Sequence, residues 1–431
     1  MLPECRQQDY LFSVPKFDVT SNDVESFMDQ LRCFHGEFRD CFQRRETREN
    51  VFRYMAGQFS ELERKSIEPI ALAVEDGKVR SMQRAISDAV WEEDKLLSKY
   101  RRIVNDDMGD PDGVLIFDES GFIKKGEDSA GVRRQYCGSI GKVDNCQVGV
   151  FAAYASAHGY AFVDKRLFVP EEWFTETEEY KHRREKCKFP KDLTFRTKPQ
   201  LASQMLSEIN AEQTLVYKYI VADSIYGHSP AFIEEVEKLE GKIYMVSIAA
   251  DTQCWLKTPI TMEKKYKYKG EERSKKILGD PTKSPVTVHQ IASSLNDYFW
   301  YRRKVSEGTK GPIEYEFSKR RVTLSKDGLP WKTVWLLIRR TTGKTPSYSF
   351  FISNAPENTR LSTFVWLSGM RWAIEQCFEE GKTELGMDHY EVRKYPGWNH
   401  HMLVVMLAHF FLWHLKIKLG KKSSSYYSVA A

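Results

Sequence analysis

The sequence predicts an α/β protein with a helical segment before it and a β-rich insertion within it. Three observations carry this reading. Apolar residues recur at helical spacing through about the first 108 positions. Short apolar runs alternate with helical patterns from 111 to 250. From 250 to 345 the helical pattern lapses into runs rich in Tyr, Thr and Val, broken by Gly and Pro.

In the first segment Phe52, Met55, Phe59 and Leu62 are spaced three and four apart, and 81–104 repeats the pattern with charge on its other faces. The run from Asp106 to Gly113 is dense in turn formers and marks the first boundary. Val114-Leu115-Ile116-Phe117 is an apolar strand that ends in Asp118. Runs 147–154 and 161–169 read as strands, with a hairpin turn at His158-Gly159. A helix is expected over 201–213 and a strand over 215–222, ending at Asp223. Next come a helix over 229–240, with Ser229 as N-cap and Pro230 in first position, and a strand over 243–248. Within the insertion 334–338 is a strand. After it come a strand over 348–352, a long helix over 361–385 and a second over 402–415. The expected parts are a helical N-terminal domain at 1–110, the first part of an α/β core at 111–250, and the insertion at 251–345. The end of the core follows at 346–419, then a loose Lys/Ser/Tyr-rich tail at 420–431.

Composition narrows the class. With 41% apolar and 29% charged residues, the chain is neither disordered nor fibrous. Its 65 Lys and Arg against 60 Asp and Glu leave +5, which permits a polyanionic partner without demanding one, so local clusters matter more. Eight scattered cysteines with no CxxC pair argue against a disulfide framework or a zinc ribbon and suit a reducing cytosol. The N-terminus lacks the charged and apolar regions of a signal peptide. The apolar run 402–415 contains His409 and His414 and is too short to span a bilayer, so a cytoplasmic protein with no membrane partner is expected.

Three acids stand out: Asp118 in FDESGF, Asp223 in IVADSIYG and Glu375 in RWAIEQCFEEGK. Acids at strand ends of an open α/β sheet face the crevice where ligands bind. Carboxylates gathered there repel one another unless a cation fills the cluster. Hard divalent ions such as Mg²⁺ take oxygen ligands, and two of them about 4 Å apart support an in-line phosphoryl displacement. An acid after a strand is also commonly a turn residue or a helix N-cap. Glu379 and Glu380 share the Glu375 helix, which weakens Glu375 taken alone. Its neighbours set it apart: Arg371 four residues before it and Lys382 seven after fall on one helical stripe. Such a stripe is either an intrahelical salt-bridge ladder or a place to hold a metal beside a phosphodiester.

Three blocks carry a resemblance. VLIFDESGFIKKGEDSAGVRRQYCGSIGKVDNCQVGV, VADSIYG and RWAIEQCFEEGKTELGMDHYEVRKYPGWNHHM are similar, in this order, to the catalytic blocks of bacterial insertion-sequence transposases of the DDE superfamily, in the seven-hundred-one family. The resemblance covers roughly 50 to 415. It implies a ribonuclease H-like catalytic core, with the β-rich insertion between the second Asp and the Glu. It also implies that Asp118, Asp223 and Glu375 are the catalytic and metal-binding acids, holding two Mg²⁺ ions for which Mn²⁺ can substitute. The signature Y-x2-R-x3-E-x6-K maps onto Arg371, Glu375 and Lys382, with Ser368 in place of the Tyr. Arg371 and Lys382 would then hold DNA phosphates. The implied activity is cut-and-paste transposition, in which one strand is hydrolysed at the transposon end and the freed 3′-hydroxyl attacks target DNA. The implied partners are double-stranded DNA of the terminal inverted repeats and of the target, with a homodimer in the synaptic complex on the bacterial nucleoid.

The remaining candidates follow from charge. Lys124, Lys125, Arg133, Arg134, Gln135 and Tyr136, in the loop after the first acid, either line the entering DNA strand or form a solvated hairpin. Stretches 181–198 and 257–276 each carry eight Lys and Arg; the second includes Lys264, Lys265 and Lys267 interleaved with Tyr266 and Tyr268. Both are candidate phosphate-tracking surfaces. The N-terminal basic residues, such as Arg44, Arg45, Arg48 and Arg53, would read the inverted repeat or serve dimerisation. His389, His400 and His401 are expected to be structural, and Trp372 and Phe378 to be core anchors. Two rivals exist. A transposase-derived DNA-binding protein without catalysis is disfavoured by the presence of all three acids. A glycosidase with paired acids is disfavoured by the basic stretches.

Overall fold

In the computed structural model residues 20–429 are described, apart from 270, 309–310 and 344. They form two compact units, 20–218 with 371–429, and 219–370.

In the first unit the helices Arg45–Gln58, Val79–Ser87 and Glu93–Met108 pack against the last helix, Tyr395–Val429. Leu97, Tyr100, Val104 and Met108 lie three and four apart and are buried, which is the helical stripe that the spacing predicts. Tyr100 Oη donates to the Phe162 carbonyl at 2.5 Å, and Tyr54 Oη bonds His401 Nδ1 at 2.8 Å. The helices expected as a separate domain at 1–110 therefore share a core with the strands that follow them. The periodicity over 81–104 is interrupted at 88–92, between two helices.

Four strands follow: β1 (Val114–Ile123), β2 (Arg133–Cys137), β3 (Lys142–Ser156) and β4 (Gly159–Phe168). β3 takes β1 along one edge; the other edge takes β2 at its start and β4 over the rest, all antiparallel. Two expectations change here. β1 does not end at Asp118, because β3 continues to offer ladder partners, from Glu119 opposite Val150 to Ile123 opposite Cys146. Arg133, Arg134 and Tyr136 lie on a strand and not in a loop. The turn at His158-Gly159 is present: Gly159 has φ +146°, and a Cβ there would collide with Trp413. Helix Lys198–Glu212 starts at a capping box between Thr197 and Gln200. Residues 215–218 are not strand, because Val216 N donates to Asn105 Oδ1 and its carbonyl accepts from Tyr154 Oη.

The last helix is core along much of its length: Trp398, Met402 to Ala408, Phe410 and Phe411 are all buried. It is longer than the apolar run 402–415. Over Tyr395–Gly420 it is long and apolar enough to cross a membrane, yet 72% of its most apolar window is buried inside the protein. The segment expected as a tail from 420 forms its final turns as far as Val429.

In the second unit come β5 (Tyr219–Ala222), β6 (Ile243–Ile248), β7 (Gln253–Trp255), β8 (Thr261–Tyr268), β9 (Glu271–Leu278), β10 (Val286–Thr287), β11 (Tyr301–Gly308), β12 (Gly311–Lys326), β13 (Leu329–Thr341) and β14 (Tyr348–Ser353). Their order is β10-β7-β12-β13-β14-β6-β5, with β11 also on β12; β8 and β9 pair only with each other. β5 and β6 are parallel and the other pairs antiparallel. The β-rich stretch 251–345 thus continues through β14 into β6 and β5, so its compact unit begins at 219. Between β5 and β6, helix Pro230–Glu237 is capped by Ser229 Oγ, which accepts from Phe232 N at 3.3 Å. The run 361–385, expected as one helix, is two, Leu361–Met370 and Trp372–Thr383, interrupted at Arg371.

Candidate active site

Asp118 sits in the middle of β1, opposite Phe151, and is 9% exposed. Successive strand residues face opposite ways. Glu119 accordingly pairs with Lys198 Nζ at 3.1 Å, on the side of helix Lys198–Glu212. Asp118 instead meets the helix that bears Glu375. Its Oδ1 accepts from Glu119 N at 2.9 Å, and its Oδ2 accepts from Arg371 Nη1 at 3.3 Å. Arg371 Nη2 donates to Glu375 Oε1 at 2.6 Å. One guanidinium thus serves both carboxylates, as its fork of donors permits. Glu375 lies in the first turn of its helix, where a negative charge is favoured by the helix dipole, and its side chain is 47% exposed.

The stripe Arg371, Glu375, Lys382 is only partly a ladder. Lys382 leaves it: its Nζ donates to the Gly121 carbonyl at 3.4 Å and lies 5.4 Å from the Phe122 ring centre. Helix Trp372–Thr383 is therefore tied to β1 at both ends, by Arg371 to Asp118 and by Lys382 to Gly121. Burial lowers the Lys382 ammonium, with Asp388 opposing. Lys124 is similar. Its Nζ donates to the Tyr390 carbonyl at 2.8 Å and stands 3.3 Å from that ring's centre. Burial pulls it down to about 7, against the pull of Asp388.

Asp223 belongs to the second unit. It follows β5 and caps the short helix Ser224–Gly227, its Oδ1 accepting from Ser224 N at 2.6 Å. This is the capping geometry that the sequence left open beside the catalytic reading. Among the described residues no group of three or more His, Cys, Asp or Glu stands ready to hold a metal ion. Asp118 and Glu375 are nevertheless an all-oxygen donor pair already sharing one cationic group, which is donor chemistry that suits a hard divalent ion.

The other candidates divide by burial. Lys125, Arg134 and Tyr136 are exposed, and Arg133 pairs with Glu172 at 3.2 Å. In the stretch 181–198, Arg183 packs on Trp173, Arg184 donates to the Trp173 and Thr175 carbonyls, Lys186 pairs with Asp128 and Lys188 with Asp88. Lys264, Lys265 and Lys267 are exposed on β8. His401 is buried between Tyr54 Oη and the Met387 carbonyl and held down to about 3 by burial. His400 stacks on Trp91 with centroids 4.0 Å apart. Phe378 packs on Phe151 and Phe162, whereas Trp372 is 42% exposed.

Sequence reasoning missed a buried network in this unit. Asp164, fully buried on β4, binds Arg101 at 2.6 Å and Arg166 at 2.5 Å. Lys165 joins Glu93 and Asn399. An acid inside the apolar run AFVDKRLF was the available signal.

The DDE superfamily endonuclease profile matches residues 37–312, more than half of the chain. A probable transposase for insertion sequence element IS701, from Microchaete diplosiphon, is 25% identical over 351 residues, covering 80% of this chain and 77% of the relative. Among solved structures, a cryo-EM structure of a piggyBac transposase synaptic complex with hairpin DNA aligns over 94% of this chain and 70% of that one. The TM-score there is 0.34 and the identity 8%.

Proposed function

The chain belongs to the DDE superfamily endonucleases, as an insertion-sequence transposase, and we propose that it moves its element by cutting at the element's ends and joining the freed 3′-hydroxyls to target DNA. The observation that carries this reading is the bridge from Arg371 to both Asp118 and Glu375. In this reading Asp118, Asp223 and Glu375 are the three acids, set in a ribonuclease H-like core. They would hold two divalent ions, Mg²⁺ or Mn²⁺. Such ions, when bound, activate the attacking hydroxyl and stabilise the leaving oxygen.

The protein's own groups do the rest. The carboxylates accept no phosphate themselves, so a cationic group must hold the backbone in line. Arg371 has five donors and would turn part of its fork to a phosphate oxygen while keeping its carboxylates oriented. Lys382, anchored at Gly121, would contribute a second positive charge farther along β1. No Ser, Tyr or Cys nucleophile is needed, because water and then the 3′-hydroxyl attack directly. The protein would act on double-stranded DNA in the bacterial cytoplasm, as a homodimer that brings two ends together.

The test is cleavage of a duplex bearing the element's own ends, in Mg²⁺ and in EDTA. Wild type cuts only with the metal. Asp118→Ala, Asp223→Ala and Glu375→Ala each abolish cutting and retain end binding. Near-normal cutting by any one of them removes that residue from the assignment.

A further inference from the structure

The hairpin formed by β8 and β9 is a ribbon with two unlike faces. Every described side chain from Met262 to Lys276 is exposed. A two-stranded ribbon without a buried side is marginal in water, so this one has no core of its own to hold it. Residues directly opposite in an antiparallel pair share a face, and alternate positions along a strand switch faces. The register pairs Lys264 with Lys275, Tyr266 with Arg273 and Tyr268 with Glu271 on one face. It pairs Glu263 with Lys276, Lys265 with Ser274 and Lys267 with Glu272 on the other.

The second face is largely self-neutralised, since two of its three lysines stand opposite a glutamate. The first is not. Lys264 and Lys275 stand opposite each other, a like-charge pair that works against the hairpin in isolation. Arg273 pairs with Glu271 at 3.0 Å and lies 5.0 Å from the Tyr268 ring centre; Lys275 lies 5.8 Å from that of Tyr266. Both tyrosines remain exposed, at 40% and 49%. A repelling lysine pair beside two open rings is relieved by a polyanion that also offers apolar and hydrogen-bonding groups to contact. Duplex DNA supplies the phosphates and, in a major groove about 12 Å wide that admits a two-stranded ribbon, base edges and thymine methyl groups.

We propose that the β8–β9 ribbon docks on duplex DNA through the face bearing Lys264, Tyr266, Tyr268, Arg273 and Lys275, and that Lys265 and Lys267 point away from the contact. The proposal rests on the transposase reading above and assigns one surface to its DNA partner.

The test compares two double variants of the full chain that remove the same charge from the same strands' neighbourhood: Lys264→Ala/Lys275→Ala and Lys265→Ala/Lys267→Ala. Binding to a random-sequence duplex is measured from about 50 to 200 mM salt, a range over which phosphate contacts dominate. The first double flattens the slope of log affinity against log salt by about 2 and weakens low-salt binding on the order of tenfold. The second changes the slope by less than about 1. Tyr266→Ala weakens binding without altering the slope, because it removes a contact that carries no charge. Equal losses in the two doubles overturn the assignment of the face. A wild-type chain that fails to retain the duplex overturns the transposase reading as well.

Discussion

Arg371 and Asp118 are 253 positions apart in the chain and meet at 3.3 Å. The same guanidinium holds Glu375 at 2.6 Å, so two acids from distant segments answer to one side chain. Arg371→Ala leaves both without that partner. The expected result is a fall in end cleavage on the order of 10²-fold with end affinity little changed, as for the loss of one preorganised charge contact. Arg371→Lys recovers only part of it, since an ammonium cannot fork between two carboxylates. Single-turnover cleavage and equilibrium binding on the same duplex check this. Arg371 is partly exposed, so stability should move by no more than about 1 kcal/mol.

Acid should weaken the first unit through Glu93. Burial raises this carboxyl, but the Lys165 ammonium at 3.1 Å and a bond to His400 outweigh it and hold the group down to about 2, against an ordinary 4.5. The folded state therefore binds the proton more weakly than the unfolded chain. Its stabilising contribution is complete above pH 4.5 and is lost as pH falls toward 2. Urea midpoints between pH 2.5 and 6, on scales of about half a pH unit, should show a smaller acid loss in Glu93→Gln than in wild type.

Lys124 predicts the opposite limb. Its amine is drawn down to about 7 by burial, from an ordinary 10.5. The unfolded chain keeps a proton that the folded protein gives up over this interval. The contribution to stability is complete above pH 10.5 and is lost as pH falls to about 7. Lys124→Met should flatten the dependence of urea stability on pH between these values; an unchanged profile would show that the amine is not in this environment.

The network around Asp164 predicts a large stability effect. Arg101→Met strands part of a fully buried carboxylate and should cost about 3 kcal/mol or more. Adding Asp164→Leu should cost less than the sum of the two single changes, because the second change removes the charge that the first left exposed to an apolar interior. Urea denaturation of the four proteins in the cycle measures it.

Elements with a strong local signal were legible. Ser229-Pro230 marked a helix start, His158-Gly159 a hairpin, and the periodicity of Leu97, Tyr100 and Val104 a buried stripe. Boundaries set by a distant partner were not. β1 passes through Asp118 because β3 keeps pairing with it, and residues 215–218 are held out of a strand by Asn105 and Tyr154. At the site, the stripe of Arg371 and Glu375 was readable from helical spacing. The reach of Arg371 to Asp118 and the turning of Lys382 to Gly121 were not, since both depend on which strand lies beneath the helix.

The buried last helix has a consequence for synthesis. Tyr54 waits for His401, and the early helices, though they meet one another and β4 sooner, lack the last helix that completes their packing until residues beyond 400 leave the ribosome. At about 5–20 residues per second, that delay is on the order of 20–70 s. For that interval the early helices expose apolar surface in the cell, and a chain cut short before 400 is one that chaperones and proteases would meet rather than DNA.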